Sequence, residues 1–189
     1  MREAGSERRA VFLDRDGVLT VEGGAYVTRP DALHLLPGAA EAVARLTAAG
    51  WPVIVITNQA GVGRGYLSLE ELEAVHARLR AEIETAGGRL TAIYACPHCP
   101  EEGCDCRKPR PGLLRQAAAD LGLDLCASYM VGDSPRDIAA GHAVGCRTIL
   151  VLTGHTRQYD PATFPPPHPD FVFADLAAAA DWLCRQSQE

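Results

Sequence analysis

The stretch "VFLDRDGVLT" (residues 11–20) holds the feature on which the fold prediction depends. An apolar run typical of a buried strand ends abruptly at Asp14, and a second carboxylate, Asp16, follows just before Gly17. Solubility does not require acids at this point, because the surface offers other places for them. Two carboxylates where a buried strand stops indicate a site, and the rest of the chain determines what kind of site it is.

The composition is that of a globular protein with one domain over residues 1–189. Hydrophobic residues make up 47% of the chain and charged residues 22%, which is ordinary for a soluble protein. No apolar run approaches the ~20 residues of a membrane span, and the start "MREAGSERRA" is polar, so we expect a cytoplasmic protein. The net charge of −6 argues against nucleic-acid binding. We expect a monomer that binds a small metabolite and neither nucleic acid nor a membrane.

Strand-like and helix-like segments alternate along the whole chain. The predicted strands are 10–14, 51–57, 91–96, 128–133, 147–152 and 170–174, and the predicted helices are 38–50, 68–87, 111–121, a short one after 134, and 175–186. This alternation predicts an α/β fold, a Rossmann-like doubly wound parallel sheet with helices on both faces. No stretch is long enough to form a large cap domain.

The first four predicted strands each lead to polar side chains. In chain order these are Asp14 and Asp16, Thr57 and Asn58, Lys108, and then Asp133 with Asp137 one helical turn later. Each has an ordinary interpretation alone, such as a helix cap for Asp133. Ligands of such sheets bind beyond the carboxyl ends of the strands, so these side chains are expected to share one rim. Lys108 is the only lysine beside 17 arginines, which indicates a position where a compact ammonium is needed.

Four segments on this rim carry a family resemblance. "DRDGVLT", "VITNQAGVGRG", "CRKPRPG" and "VGDSPRD", in this order, resemble the four motifs of the haloacid dehalogenase superfamily of phosphohydrolases, and the resemblance covers about residues 10–185. Together with "CPHCPEEGCDC" they are most similar to the superfamily members that remove the 7-phosphate of D-glycero-D-manno-heptose 1,7-bisphosphate. The phosphatases of histidinol phosphate are a near relative.

The resemblance implies the central roles of the rim residues, and the chemistry agrees with them. Asp14 is the nucleophile that forms an aspartyl-phosphate, and Asp16 is the general acid and base. Mg²⁺ is expected on the side chains of Asp14 and Asp133 and on the backbone carbonyl of Asp16. Lys108 is expected to hold the transferred phosphoryl group.

Two further strand-end residues are expected to contact the phosphoryl oxygens. Thr57 donates its hydroxyl as a catalytic residue, and Asn58 donates its backbone N–H. Asp137 either orients Lys108 or a metal-bound water, or is an acid favoured in the first turn of a helix.

The remaining predicted substrate-binding residues lie around this centre. Arg107 is similar to the substrate-recognition arginine of the family, and Ser134 follows the fourth strand. Glu22 and Tyr26 belong to the segment 21–26, which corresponds to a sugar-contacting loop in relatives. An exposed acid and a loop-packing tyrosine would explain these two residues equally well.

The cysteines cluster in a way that indicates a metal. Seven cysteines are present, and "CPHCPEEGCDC" (96–106) offers Cys96, His98, Cys99, Cys104 and Cys106 where zinc needs four ligands. The spacing alone leaves open whether Cys99 or His98 is used. The resemblance selects Cys96, His98, Cys104 and Cys106, as a structural Zn²⁺ site that orders the loop.

These observations predict a Mg²⁺-dependent phosphoric monoester hydrolase that acts on heptose 1,7-bisphosphate at C7, in the formation of nucleotide-activated heptose. The alternative enzyme is a histidinol-phosphate phosphatase. An alternative outside enzymes is a zinc-ribbon adaptor that binds partners, although the acidic charge and the set of Asp14, Asp16, Lys108 and Asp133 count against it.

Overall fold

The computed structural model describes residues 8–186, and its centre is one six-stranded parallel sheet. The strands are β1 (Val11–Leu13), β2 (Val53–Asn58), β3 (Ala92–Cys96), β4 (Tyr129–Gly132), β5 (Arg147–Val151) and β6 (Phe171–Phe173). Their order is β3-β2-β1-β4-β5-β6. The chain starts in the middle and builds outward to one edge and then to the other, so the doubly wound prediction is confirmed. Residues 1–7 and 187–189, including most of the polar N-terminal stretch and both ends of the predicted domain, lie outside the described residues.

Helices cover both faces of the sheet. They are α1 (Ala39–Ala48), α2 (Ala60–Gly63), α3 (Leu69–Thr85), α4 (Gly112–Leu121), α5 (Pro135–His142) and α6 (Leu176–Gln186). The helices α1, α3 and α6 share one hydrophobic core with the sheet, and α4 and α5 contribute to a second core on the opposite face. Within residues 8–186 no further domain covers the sheet, in agreement with the absence of a large cap.

The apolar run of β2 shows why this strand is central. Val53 and Val55 pack into one core, whereas Ile54 and Ile56 pack into the other. A strand buried on both faces needs apolar residues at every position, which is the pattern of parallel sheets. The alternation of side chains across the strand thus joins the two cores through one element.

The register of the central strands brings their ends together. Leu13 of β1 lies beside Val55 of β2 and Val131 of β4, and the backbone N–H of Asp14 donates to the Val131 carbonyl at 3.0 Å. Because the strands are parallel, the segments that follow β1, β2, β3 and β4 leave the sheet at the same edge. This edge is the predicted rim.

One short helix, α2, lies between the predicted strand 51–57 and the predicted helix 68–87, where the sequence predicts neither strand nor helix. Helix α2 contains two glycines, Gly61 and Gly63, although glycine disfavours helices more than any residue except proline. Tertiary contacts explain both: a Cβ on Gly61 would lie 2.6 Å from the Leu67 side chain, and one on Gly63 would lie 2.8 Å from the Pro97 carbonyl oxygen. Close packing at this edge therefore fixes the turn, against its local propensity.

No helix in the described range 8–186 has the length and apolarity needed to cross a membrane.

Candidate active site

The rim encloses a cavity of about 320 Å³. Ten of the residues singled out in the sequence line it: Asp14, Asp16, Glu22, Tyr26, Asn58, Arg107, Lys108, Asp133, Ser134 and Asp137. They come from five separate segments of the chain, so the fold rather than local sequence gathers them. Thr57 is the one predicted substrate-contacting or catalytic residue that does not line the cavity.

Lys108 lies at the floor of the cavity and is 3% exposed. Its Nζ is 2.9 Å from Asp14 Oδ1 and 2.7 Å from Asp137 Oδ1, and it donates to the Ile56 carbonyl at 2.8 Å. An ammonium has three donors, and all three have acceptors here. Burial lowers the pKa of Lys108, but the carboxylates of Asp137 and Asp14 outweigh burial and raise it above its usual value. The lysine is therefore a fixed positive charge.

Asp137 combines the two functions that the sequence left open. Its Oδ1 pairs with Lys108, while its Oδ2 accepts hydrogen bonds from the backbone N–H and the hydroxyl of Ser134 at 3.1 and 2.6 Å. Burial would raise the pKa of Asp137, but Lys108 lowers it below the usual range. The same carboxylate thus orients the lysine and stabilises the start of α5.

Asn58 holds the backbone on which Lys108 is mounted. Its side-chain amide donates to the Lys108 carbonyl at 3.1 Å and accepts from the Lys108 backbone N–H at 3.0 Å. This pair of bonds links the end of β2 to the loop after β3. The predicted contact of its backbone N–H with a phosphoryl oxygen stays a prediction.

Three carboxylates, those of buried Asp133 and Asp137 and of half-buried Asp14, face each other beside the lysine. The nearest ligand oxygens of Asp14, Asp133 and Asp137 all lie within 4.8 Å of one another. Burial raises the pKa of Asp14 to about 8, where Lys108 lowers it and the carboxylates of Asp137, Asp133 and Asp16 raise it. Burial likewise raises the pKa of Asp133 to about 6. One ammonium does not offset three acids, and a hard divalent cation with oxygen ligands fits this excess of negative charge.

Glycines allow the backbone to close around Asp133. A Cβ on Gly17 would lie 2.2 Å from Asp133 Oδ2, and one on Gly154 would lie 1.9 Å from the same oxygen. Gly17 also has φ +83°, which side-chain-bearing residues rarely adopt. The same oxygen accepts the His155 backbone N–H at 2.5 Å. The glycine after the two acids of the first motif is therefore required for packing against the acid of the fourth motif.

Asp16 has neighbours that the sequence interpretation missed. Arg15 donates to its carboxylate from Nε and Nη2 at 2.9 and 2.8 Å, and Gln59 donates from Nε2 at 2.9 Å. Arg15 is 1% exposed. A signal was present, because an arginine between two acids at the end of a buried strand must either point to solvent or pair with them.

Thr57 is buried and its hydroxyl accepts a hydrogen bond from Gln59 Nε2 at 2.8 Å. The structure therefore places this hydroxyl beneath the cavity, next to Gln59. Its predicted donation to a phosphoryl oxygen stays a prediction.

The predicted substrate-binding side chains lie around the mouth of the cavity. Glu22 and Tyr26 are exposed, and the Tyr26 ring is 5.2 Å from that of Tyr66 between centroids. Arg107 is half-buried and donates from Nη1 to the His98 carbonyl at 3.3 Å, which ties it to the cysteine loop. One side of its guanidinium is thus anchored by the loop.

The cysteine loop brings together four ligand atoms. Those of Cys96, His98, Cys104 and Cys106 lie within 4.8 Å of one another. The Sγ of Cys106 is 3.2 Å from Cys96 Sγ, 3.4 Å from Cys104 Sγ and 3.2 Å from His98 Nδ1. Cys99 is outside this group, and its sulfur contacts the Ala60 carbonyl at 4.0 Å instead. The group of four thus contains His98 and leaves out Cys99, which is the set that the family resemblance implies.

Comparison with known proteins places the fold and site in a class. Residues 105–179 match a family model described as "HAD-hyrolase-like". The crystal structure of a D,D-heptose 1,7-bisphosphate phosphatase from B. bronchiseptica, complexed with magnesium and phosphate, superimposes with a TM-score of 0.87 at 40% identity, covering 94% of this chain and 99% of that one. A doubly wound sheet with aspartates after β1 and β4 and a buried lysine between them is the architecture of the haloacid dehalogenase-like hydrolases, and the resemblance seen in the sequence is confirmed.

Curated relatives narrow the class further. A D-glycero-β-D-manno-heptose-1,7-bisphosphate 7-phosphatase of Pseudomonas aeruginosa is 46% identical over 93% of this chain and 98% of its own length. A D-glycero-D-manno-heptose-1,7-bisphosphate 7-phosphatase of Thermosynechococcus vestitus is 43% identical over 94% and 96%. The chain belongs to this family of heptose-bisphosphate 7-phosphatases within the haloacid dehalogenase-like hydrolases.

Proposed function

We propose that the chain hydrolyses the C7 phosphate of D-glycero-D-manno-heptose 1,7-bisphosphate through an aspartyl-phosphate. The observation that carries this proposal is the placement of Asp14 at the end of β1, within 2.9 Å of the Lys108 ammonium and open to the cavity. The family of the curated relatives supports the choice of substrate. That family membership also leaves the zinc-ribbon adaptor without support.

The first half of the reaction forms the covalent intermediate. The Asp14 carboxylate attacks phosphorus, and the bond from phosphorus to the C7 oxygen breaks as Asp16 gives its proton to the leaving alkoxide. Lys108 stabilises the charge on the transferred group, because its ammonium is fixed in place before the substrate arrives. The heptose then leaves with its C7 hydroxyl, still phosphorylated at C1.

The second half regenerates the enzyme. The Asp16 carboxylate takes a proton from a water molecule, which attacks phosphorus. The bond from phosphorus to the Asp14 oxygen breaks, so that inorganic phosphate leaves and the free Asp14 carboxylate returns. Each group thus ends in the state in which it began, and the sum is the hydrolysis of one phosphate ester by one water.

Asp14 and Asp133, with the backbone carbonyl of Asp16, would hold Mg²⁺. When bound, the ion offsets the repulsion between an anionic nucleophile and an anionic phosphoryl group. The B. bronchiseptica structure with magnesium and phosphate supports this cofactor. The raised pKa of Asp14, about 8, also supports it, because a neighbouring dication favours the ionised form that must attack.

We assign the cysteine loop as a structural zinc site. Cys96, His98, Cys104 and Cys106 would supply three thiolates and one imidazole, the four ligands that a structural zinc site needs, with no position left for substrate. The loop carries the backbone from β3 to Lys108 and anchors Arg107 through the His98 carbonyl. Arg107, Glu22, Tyr26 and Ser134 are the proposed contacts to the rest of the substrate. Asn58 is the proposed backbone N–H donor to a phosphoryl oxygen of the reacting phosphate.

The test compares two phosphate esters in the presence and absence of Mg²⁺. We expect kcat/KM for heptose 1,7-bisphosphate to exceed that for histidinol phosphate, with activity lost when Mg²⁺ is removed. A preference of about ten-fold or more for histidinol phosphate, equal to ~1.4 kcal/mol of transition-state binding, would overturn the substrate assignment.

A further inference from the structure

The carboxylate of Asp16 is surrounded by hydrogen-bond donors from three residues, Arg15, Thr20 and Gln59, which we call the Asp16 cage. Oδ1 accepts from Arg15 Nε at 2.9 Å and from the Thr20 hydroxyl at 3.0 Å. Oδ2 accepts from Arg15 Nη2 at 2.8 Å and from Gln59 Nε2 at 2.9 Å. The Thr20 hydroxyl has one hydrogen and also lies 3.3 Å from the Arg15 carbonyl, to which it can donate instead. When it does so, its oxygen can accept a proton carried by Asp16 Oδ1, so the same contacts can hold the protonated and the ionised carboxyl group.

The members of the cage also hold one another. Arg15 Nη2 donates to Gln59 Oε1 at 3.1 Å, and the Arg15 carbonyl accepts from the Thr20 backbone N–H at 2.9 Å. Gln59 is fixed from below, since its backbone N–H donates to the Cys96 carbonyl at 2.7 Å and its side chain donates to the Thr57 hydroxyl. The cage therefore joins the ends of β1, β2 and β3, and it is buried apart from Asp16 itself.

The burial of Arg15 has a cost that packing does not explain. A charge removed from water is unfavourable unless it is paired, and within residues 8–186 the salt-bridge partner of Arg15 is Asp16. Nearby His76 is neutral, because burial and the positive charges of Arg15 and Arg80 lower its pKa to about 4. Arg15 is thus buried in order to pair with Asp16, which is itself partly exposed. This arrangement indicates that the orientation of the Asp16 carboxylate is important.

We propose that Arg15, Gln59 and Thr20 are positioning residues that fix the rotamer of Asp16, so that its oxygen meets the leaving group and then the attacking water. The inference rests on the proposed function, in which Asp16 transfers the proton. An aspartate side chain without these donors can rotate about two bonds. A misplacement of about 1 Å costs on the order of 100-fold in rate, and this loss falls on the proton transfers alone.

The test uses Gln59→Met, which keeps the length of the side chain but removes its donors. Removal of Arg15 would leave a large cavity and take away the salt-bridge partner of Asp16, so its effect on folding could not be separated from its effect on catalysis. Gln59 therefore carries the experiment, with the nearly isosteric Thr20→Val as the second variant. On heptose 1,7-bisphosphate we expect kcat to fall by roughly 10- to 100-fold with KM within about threefold, since proton transfer contributes ~100-fold or more and substrate binding is untouched.

A second substrate distinguishes positioning from general damage. p-Nitrophenolate leaves phosphorus without being protonated, so Gln59→Met should release a first equivalent of it at nearly the wild-type rate. Only the later attack of water slows, which gives a burst close to one equivalent per active site. Gln116→Met, the same change at an exposed position of α4, should match the unmodified chain on both substrates.

Two results would overturn the inference. One is a Gln59→Met enzyme whose kcat on the bisphosphate stays within about twofold of the unmodified chain, since a lost positioning contact should cost more. The other is an equal loss on both substrates without a burst, which indicates fewer folded molecules. If the unmodified chain hydrolyses neither substrate, the proposed function fails instead.

Discussion

At the scale of single residues, Lys108 shows why one lysine remains in a chain that otherwise uses arginine. Its ammonium contacts three acceptors at 2.7–2.9 Å in a space that is 3% exposed. A guanidinium is planar and larger, and it cannot direct three donors from one atom. The charge alone is therefore not sufficient at this position.

We predict that Lys108→Arg folds but loses about 100-fold or more in kcat, because the transferred phosphoryl group loses a preorganised donor. Steady-state kinetics and circular dichroism of the purified variant measure the two quantities. Arg115→Lys, an exchange of the same kind at an exposed position of α4, should change neither. Wild-type activity of Lys108→Arg would show that positive charge without geometry suffices.

His76 gives a prediction on stability. Burial, together with the charges of Arg15 and Arg80, lowers its pKa to about 4, so the folded state holds it neutral. The unfolded chain binds this proton below about pH 6.5, hence the free energy of unfolding should decrease as the pH falls from 6.5 towards 4. The loss from this group approaches roughly 3 kcal/mol at pH 4.

Urea unfolding between pH 7 and pH 4 checks this expectation. Between pH 7 and pH 4 the free energy of unfolding of His76→Gln should decrease less than that of the unmodified chain, by about the contribution of this histidine, ~3 kcal/mol. His142→Gln, at an exposed position on α5, serves as the control and should follow the unmodified chain. An identical pH dependence in all three proteins would contradict the assignment.

At the level of residues, the sequence singles out side chains whose chemistry is unusual for their position. Asp14 stood out because it ends an apolar run, and Lys108 because it is a single lysine. Arg15 and Gln59 were missed, because their importance lies in hydrogen bonds to Asp16 between separate strands. Sequence spacing does not contain such contacts.

At the scale of elements, the cysteine loop connects metal binding with catalysis. The last of its four proposed ligands, Cys106, is two residues before Lys108, and the first, Cys96, ends β3. A zinc ion bound by these four residues would restrict the conformations of the whole segment between β3 and Lys108. Loss of the ion should therefore affect the position of the lysine as well as the loop.

We predict that the purified protein contains about one zinc per chain and that Cys104→Ser loses both the zinc and most of its activity, since structural zinc contributes directly to folding. Elemental analysis and kinetics with excess Mg²⁺ provide the measurements. Cys99→Ser is the matched control in the same loop and should keep its zinc and activity. Full activity of Cys104→Ser would show that catalysis does not depend on the zinc site of the cysteine loop.

The elements themselves were predictable to different degrees. The six strands follow from short apolar runs. Five of the helices follow from apolar residues at helical spacing and from caps such as Ser68 and Glu71, whose reciprocal hydrogen bonds are present at the start of α3. The helix α2 was not predictable, because Gly61 and Gly63 are placed by packing against Leu67 and Pro97. Tertiary contacts override propensity most easily in such short elements.

At the scale of the whole molecule, the fold supplies what no segment has alone. The parallel strands deliver three carboxylates, one ammonium and a caged acid to one edge, although the chain carries a net charge of −6. The alternation of strands and helices in the sequence predicts that the strands pair in parallel, but it does not predict which strand is central. With β1 in the centre, Asp14 lies between the ends of β2 and β4.

The central claim is that Asp14 carries the phosphoryl group during turnover. The most direct measurement is rapid acid quenching of the enzyme with heptose 1,7-bisphosphate labelled in its C7 phosphate, followed by peptide mapping. We predict label on the peptide that contains Asp14, and neither label nor turnover in Asp14→Asn, whose fold and zinc content remain. Hydrolysis by Asp14→Asn at the wild-type rate, or label on another residue, would contradict the account.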